Sequence, residues 1–230
     1  MQLQCDSCME FKYSVFTELN DEERAILEQT YICREISKGE VIFCEGDKPK
    51  GLISLSCGLV KVFKQGIGGR EQIIRMAKPV GFIGYRALFA EENHTTTAIA
   101  IEDSKICIFD KTSLFRVMQM NCKLTMRIIK EMATELGFAI NRTVTLTQKH
   151  VRGRLAESLL FLTDTYGFEQ DNKTIKVYLS REDIANLSSM TTSNAIRTLS
   201  AFADENIIQI KGRKITILEP EKLKRISELG

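Results

Sequence analysis

Residues 179–187 have the sequence LSREDIANL, residues 188–191 have SSMT, and residues 192–202 have TSNAIRTLSAF. Two side chains in this stretch can cap helices, because Ser180 stands three residues before an aspartate and Thr191 directly precedes the last segment. We therefore predict two short helices joined by a tight polar turn, which is the helix-turn-helix arrangement.

The second predicted helix has an apolar side and a polar side. The apolar residues recur every three or four positions, so we expect them to face the core. They are Ala195, Ile196, Leu199 and Phe202. On the polar side, Ser193, Asn194 and Arg197 lie three or four residues apart and carry groups of the kind that contact base edges in DNA. The alternative is a small packed subdomain that binds no DNA.

A basic hairpin is predicted after this helix. Apolar runs at 207–210 and 215–217 flank a turn that contains Lys211, Arg213 and Lys214. Basic side chains beside a recognition helix would contact phosphates, so these three residues are further candidates for DNA binding.

Composition narrows the classes of protein that remain. The 230 residues allow two modest domains, and the net charge of +2 means that DNA binding must depend on local basic clusters. Without a run of eighteen apolar residues or a signal-peptide pattern, we expect a cytoplasmic protein that enters no membrane. Two histidines, with no catalytic triad, metal-ligand, P-loop or dinucleotide pattern, predict that the protein is not an enzyme. A ligand-binding module whose helix-turn-helix docks a protein remains an alternative.

Short β-rich runs separated by glycines occupy residues 36–109 and predict an all-β sandwich or barrel. The runs are 41–43, 52–55, 59–63, 72–76, 98–101 and 105–109.

Beyond residue 110, apolar residues recur with the three-four spacing of a coiled-coil seam. They are Ile129, Met132, Leu136, Ala139, Thr143 and Leu146. We expect this seam to form a two-fold homodimer, which would place two helix-turn-helix units about one DNA turn apart. The alternative is that the stripe packs on the β domain of the same chain. The segment 148–154 interrupts the stripe and is a candidate hinge.

The seven cysteines divide into five single residues and one pair. We expect the single ones to be small buried side chains. They are Cys33, Cys44, Cys57, Cys107 and Cys122. The C-x-x-C pair Cys5 and Cys8 is a weak candidate for metal, iron–sulfur or redox chemistry. A closed site needs about four ligands and no second close pair exists, so we expect ordinary thiols and no metal site.

In this order, the β domain, seam helix, hinge, helix-turn-helix and basic wing resemble the cAMP receptor protein and FNR (CRP/FNR) family of bacterial transcription regulators. The most specific segments are 81–84 with 88–89, similar to the phosphate cassette of the family, 151–156 at the hinge, and 179–199 with Gly212 in the wing.

The resemblance implies an α+β fold in three parts. Residues 1–110 would hold the N-terminal segment and a double-stranded β-helix (jelly-roll, cyclic-nucleotide-binding-like) sensor domain, residues 111–147 the dimerisation helix, and residues 148–230 a winged helix-turn-helix. The implied partners are double-stranded DNA, a second copy of the chain and RNA polymerase. Arg197 falls on an arginine of the family's recognition helix, while Thr192, Ser193 and Asn194 occupy base-reading positions without the familiar Arg-Glu pair. We therefore expect a different DNA sequence to be recognised.

The effector pocket departs further from the family. A cyclic-nucleotide site would have a glutamate shortly after Gly84, where Tyr85 and Arg86 stand instead, and an arginine in 93–98, where there is none. Without that cation a buried cyclic phosphate loses its charge-assisted hydrogen bonds. We therefore predict an effector other than cAMP. The candidate pocket residues are Gly84, Tyr85, Arg86, Thr96 and Thr97, although Arg86 could instead form a salt bridge to Glu91 or Glu92.

Redox, haem or gas sensing within the same family is a further alternative. An oxygen-labile iron–sulfur cluster would need a third N-terminal cysteine close to Cys8, and residues 9–16 contain none. Haem would need an axial ligand such as His94 or His150, each of which we expect to be a surface or hinge histidine.

Overall fold

The computed structural model describes residues 14–229, which form two compact units. Residues 14–66 and 74–135 form the first unit, and residues 67–73 and 136–229 form the second. The strands are β1 (Ile32–Ile36), β2 (Val41–Phe43), β3 (Gly51–Cys57), β4 (Val60–Gln65), β5 (Glu71–Ala77), β6 (Phe82–Ile83), β7 (Thr97–Ala100), β8 (Ser104–Asp110), β9 (Ile208–Lys211) and β10 (Lys214–Ile217). The helices are α1 (Asp21–Glu28), α2 (Tyr85–Ala90), α3 (Lys111–Met120), α4 (Cys122–Gln148), α5 (Val151–Tyr166), α6 (Arg181–Leu187), α7 (Thr192–Asp204) and α8 (Pro220–Leu229).

Two four-stranded sheets form the β domain, in the orders β1-β8-β3-β6 and β2-β7-β4-β5. Each of the six β-rich runs of the sequence lies on one of these strands with at most one residue outside it, which confirms the predicted N-terminal β domain. The sequence pattern did not reveal β1, because four of its five residues are exposed and it lacks an apolar face.

Each face of the first sheet contributes to a different core. Leu55 of β3 and Ile106 of β8 pack toward the second sheet, where Val60 and Ala98 meet them. On the other face, a second cluster joins the sheet to α1, α3 and the beginning of α4. Its fully buried members include Phe16, Leu27, Leu52, Cys107, Phe109, Leu114 and Leu124.

The second unit contains the predicted helix-turn-helix. The Ser180 side chain accepts a hydrogen bond from the Asp183 N–H, and the Thr191 side chain accepts one from the Asn194 N–H, so both predicted caps are confirmed. The β9–β10 hairpin is confirmed as well. Ala195, Leu199 and Phe202 are buried, but the expectation for Ile196 is wrong, because 46% of that residue is exposed.

Helix α4 is 27 residues long and ends at Gln148, three residues before α5 begins. Several large apolar residues along it are exposed, among them Met126, Ile129, Leu136, Ile140 and Val144. Of the predicted seam, Ala139 and Thr143 are exposed and Leu146 is half-buried. Met132 differs, because it is partly buried against the core of the first unit. No helix within residues 14–229 is both long and apolar enough to cross a membrane.

Of the five single cysteines, Cys107 is fully buried as expected, whereas Cys33, Cys44 and Cys122 are exposed and Cys57 is half-buried. Cys33 of the edge strand β1 lies directly opposite Cys107 of β8, at a Cα–Cα distance of 4.2 Å, and the two form a disulfide. Cys57 is also disulfide-bonded, whereas Cys44 and Cys122 are free and exposed. Cys33 lies on an edge strand, Cys44 follows the end of β2 and Cys122 begins α4, and such positions leave a thiol accessible. The number and spacing of the cysteines do not predict these positions. The Cys5–Cys8 pair lies outside the described residues.

Candidate nucleic-acid interface and effector region

The N-terminal end of α7 presents its polar side chains to solvent. Thr192 and Ser193 are exposed in its first turn, and Thr191 caps that turn at 3.2 Å from the Asn194 nitrogen. The cap fixes the direction in which the chain enters α7 and so sets where the first turn of the helix begins.

Arg197 and Asn194 form a pair on the same face of α7. Arg197 Nη2 donates to Asn194 Oδ1 at 2.5 Å, one helical turn away. Arg197 is exposed, and the pairing limits the directions in which its guanidinium points. Arginine in this position can donate two parallel hydrogen bonds to a guanine edge, and asparagine can pair with adenine.

Ile196 is a surface residue that the apolar periodicity misassigned. It lies four residues after Thr192 and three after Ser193, so its side chain belongs to their face of the helix. An exposed aliphatic group at this place can contact a thymine methyl in the major groove. The "recognition surface" below means Thr192, Ser193, Asn194, Ile196 and Arg197.

The turn between α6 and α7 contains a conformation that is unfavourable for its residue. Ser189 has φ +51°, in the left-handed region that glycine adopts without a steric cost. Serine at this position therefore carries a conformational cost that glycine would avoid.

The hairpin tip, or wing, carries three exposed cations: Lys211, Arg213 and Lys214. Arg181, the first residue of α6, donates from Nη2 to the Gly212 carbonyl oxygen at 2.8 Å. Lys214 Nζ lies 5.2 Å from the centroid of the Tyr178 ring. The wing is therefore anchored to the helix-turn-helix, and its charge lies on the unit that carries the recognition surface.

Among the candidate effector residues, Gly84 adopts a left-handed conformation with φ +70° and directly precedes Tyr85 and Arg86 of α2. Arg86 is exposed and forms a salt bridge to Glu92 at 2.9 Å, which confirms the salt-bridge alternative. Thr96 and Thr97 are half-buried, and the Thr97 hydroxyl accepts a hydrogen bond from the Glu45 N–H at 3.1 Å.

A charged group that the sequence did not suggest lies beside Tyr85. Arg75 forms a salt bridge to Glu135 of α4 at 2.8 Å and donates to the Phe82 carbonyl oxygen at 2.8 Å, and its guanidinium carbon lies 5.5 Å from the Tyr85 ring centroid. Burial raises the pKa values of Glu135 and Tyr85, and Arg75 opposes both shifts. Arginine and glutamate on distant segments give no local pattern, so sequence periodicity could not find this pair.

His94 is not the surface histidine that we expected. Only 5% of the residue is exposed, and its ring stacks on Phe43 with a centroid distance of 3.8 Å. Burial lowers the pKa of His94, with Asp47 opposing and Arg86 adding to the shift. His150 is exposed and forms the N-cap of α5, as expected for a hinge histidine.

Comparison with known proteins gives two family matches. Residues 33–121 match the family described as "Cyclic nucleotide-binding domain", and residues 153–226 match "Crp-like helix-turn-helix domain".

Two relatives and one solved structure match over most of the chain. It is 26% identical over 229 residues to the fumarate and nitrate reduction regulatory protein of Vibrio cholerae, covering 98% of this chain and 90% of that protein. It is 24% identical over 193 residues to the CRP-like cAMP-activated global transcriptional regulator of Mycobacterium tuberculosis, covering 83% and 86%. The solved structure of FixK2 from Bradyrhizobium japonicum has the same fold, with a TM-score of 0.77 at 22% identity over 86% of this chain and 97% of that one.

Proposed function

Since the chain belongs to the CRP/FNR family of bacterial transcription regulators, we propose that it is a homodimeric, sequence-specific DNA-binding regulator controlled by an effector other than cAMP. The effector shifts the population between two arrangements of the paired recognition helices, and RNA polymerase is the partner that reads the outcome. One observation carries the proposal: the recognition surface, which is exposed except for the half-buried Asn194, shares a unit with an anchored wing of three cations.

Direct base contacts come from the recognition surface. Arg197 and Asn194 supply hydrogen bonds, and Ile196 supplies an apolar contact. The wing cations bind phosphates, which position the protein without reading sequence. This division of roles predicts different effects for substitutions in the two places.

A second copy of the chain covers the exposed side of α4. Ile129, Leu136, Ile140 and Val144 are between 47% and 63% exposed and follow one another at intervals of seven and four residues. An apolar stripe of this length and spacing suits a two-stranded coiled coil. Members of the CRP/FNR family act as dimers, which supports the second copy as the occupant.

The region around Tyr85 argues against cAMP. The Tyr85 ring follows Gly84 where a cyclic-nucleotide site would place a carboxylate, and Arg75, the nearby cation, is already paired with Glu135. A phosphate bound there would have to displace Glu135 from Arg75. Otherwise it would lose its hydration without gaining a cation partner. Isothermal titration with cAMP is expected to give no heat of binding, and a micromolar Kd would contradict this part of the proposal.

The test of DNA recognition compares Arg197→Ala with Lys214→Ala. Arg197→Ala should weaken binding to the selected site by about 1–3 kcal/mol, roughly 5- to 150-fold, and relax discrimination at one base pair. Lys214→Ala should weaken selected and random DNA by the same factor and lower the slope of log K against log salt by about one.

Fluorescence anisotropy with selected and random duplexes over a salt series measures both effects. If the Arg197→Ala protein discriminates between selected and random DNA as well as the wild type does, Arg197 does not contribute to sequence recognition. A salt slope near zero for the wild type would instead favour a helix-turn-helix that docks a protein.

Redox state is a second candidate signal, which the Cys33–Cys107 disulfide favours. Cys33 is exposed and Cys107 is fully buried, so a thiolate reductant would attack Cys33 Sγ and release the Cys107 thiolate. After a second exchange, two electrons and two protons have moved from the reductant to the protein.

Cys33→Ser removes this exchange, and Cys122→Ser, at a free exposed thiol, is the control. If the Cys33–Cys107 disulfide is the signal, oxidised and reduced wild type and Cys122→Ser differ in DNA affinity, whereas Cys33→Ser does not. A Cys33→Ser protein that still responds would place the signal on the disulfide of Cys57 instead. Equal affinities of the oxidised and reduced wild type would eliminate this candidate.

A further inference from the structure

The C-terminal end of α6 is completed by side chains from outside the helix-turn-helix. A helix leaves its last four carbonyl groups without partners inside the helix, and in α6 these belong to residues 184–187. The Ile184 oxygen accepts from the Ser188 N–H, and the Ala185 oxygen accepts from the Met190 N–H. The remaining two carbonyl oxygens depend on side chains from other parts of the chain.

Those two side chains are Gln72 and Arg142. Gln72 Nε2 donates to the Asn186 carbonyl oxygen at 2.9 Å, and Arg142 Nη2 donates to the Leu187 carbonyl oxygen at 2.5 Å. Arg142 Nη2 also donates to the carbonyl oxygen of Ile73 at 2.9 Å. One guanidinium therefore joins the C-terminal part of α4, the 67–73 segment and the end of α6, all within the second unit.

The arrangement around Arg142 is costly, which argues that its geometry matters. Within residues 14–229 its guanidinium is bound by carbonyl oxygens, its Nε is buried without a hydrogen-bond partner, and burial lowers its pKa. Burying a cation that has no carboxylate partner costs free energy. The favourable interaction of the cation with a helix C-terminus offsets only part of this cost.

The position of this contact gives it leverage over DNA recognition. Leu187 is the last residue of α6, and the turn that follows leads within four residues to Thr191, the cap of α7. A shift of the α6 end therefore moves the first turn of α7, which carries part of the recognition surface. Arg142 itself stands on α4, the helix whose exposed stripe we assigned to the dimer seam.

We propose that Arg142, assisted by Gln72, is a positioning residue that fixes the helix-turn-helix to α4 and so sets the separation of the two recognition surfaces in the dimer. The inference rests on the proposed function, because separation has meaning only for a DNA-binding dimer. Arg142 contacts no DNA in this mechanism. Its loss changes the geometry of the pair and leaves the base contacts of each half intact.

The test varies the distance between DNA half-sites. Wild type, Arg142→Met, Arg142→Lys and Gln72→Met are measured against the selected operator and against operators whose spacer is one or two base pairs longer or shorter. Arg127→Met is the matched control, because Arg127 lies on the same helix and pairs with Glu18 in the first unit. Circular dichroism and sedimentation equilibrium confirm folding and dimerisation of each protein.

The wild type and Arg127→Met should prefer one spacer by at least tenfold. Arg142→Met should lose most of that preference while its affinity for random DNA and its salt slope stay unchanged, and Arg142→Lys should recover part of it. Gln72→Met should lose a smaller part of the spacer preference. If Arg142→Met does not fold, Gln72→Met provides the test.

Unchanged spacer preference in the folded Arg142 or Gln72 variants would overturn the assignment. A uniform loss on every duplex with a lower salt slope would also overturn it, because that is the behaviour of a phosphate contact. A wild type that selects no operator would refute the proposed function itself, which is a separate result.

Discussion

Replacing Gly84 by alanine should destabilise the first unit severely. Gly84 has φ +70°, and a left-handed conformation costs a residue with a Cβ about 1–2 kcal/mol. The added Cβ would lie 2.7 Å from His94 Cε1 and 3.0 Å from Phe43 Cε1. These two rings are buried and stacked on each other, so neither can move away without breaking the other's packing.

Overpacking of this kind costs about 1–3 kcal/mol, so the two effects together predict a loss of about 2–5 kcal/mol. Urea unfolding followed by circular dichroism measures the loss as a lower midpoint with an unchanged m-value. The matched control is Gly137→Ala in α4, where the new Cβ would meet nothing within 4 Å. That variant should gain about 0.5–1 kcal/mol.

A double variant separates strain from steric overlap. If the ring contact matters, Gly84→Ala should cost less in a His94→Ala background, where the closest atom is gone. A Gly84→Ala protein that loses less than about 1 kcal/mol would refute both the left-handed strain and the overlap as we describe them.

Two further predictions concern Ser189 and His94. Ser189→Gly should raise the free energy of unfolding by about 0.5–1 kcal/mol, because the strain at φ +51° exceeds the entropic cost of glycine. A melting temperature that does not rise in a thermal melt would contradict this. The folded pKa of His94 lies below its ordinary value of 6.5, so below pH 6.5 the unfolded chain binds the proton more readily and stability falls as the pH drops. Urea unfolding between pH 7 and 5 should therefore show a steeper decline for wild type than for His94→Gln, and equal slopes would show that His94 titrates normally.

Local patterns predicted the helix-turn-helix and the strands because the information lies within a few residues. The caps Ser180 and Thr191 indicate where the two helices begin. Short β-rich runs separated by glycines indicate most of the strands. Ile196 shows the limit of this logic. Its spacing fits the apolar side of α7, but a residue at the edge of that side is buried or exposed according to what packs there, and packing is not local.

Contacts between distant segments were beyond the same reasoning. The Arg75–Glu135 pair joins residues sixty positions apart, and Arg142 meets carbonyl groups that any residue could supply. Backbone acceptors leave no trace in side-chain identity, so a sequence pattern cannot point to them. The sequence alone shows that the cassette arginine is missing, whereas only the three-dimensional structure shows the ion pair beside Tyr85.

Selection of DNA from a random pool tests the central claim most directly. We predict enrichment of an inverted repeat whose half-site centres lie about one helical turn apart, bound about 1000-fold or more tightly than random DNA at physiological salt. The enriched half-site should differ at one base pair when selection is repeated with Arg197→Ala. A pool that shows no enrichment, or a single unrepeated motif bound by a monomer, would contradict a dimeric regulator that reads DNA through α7.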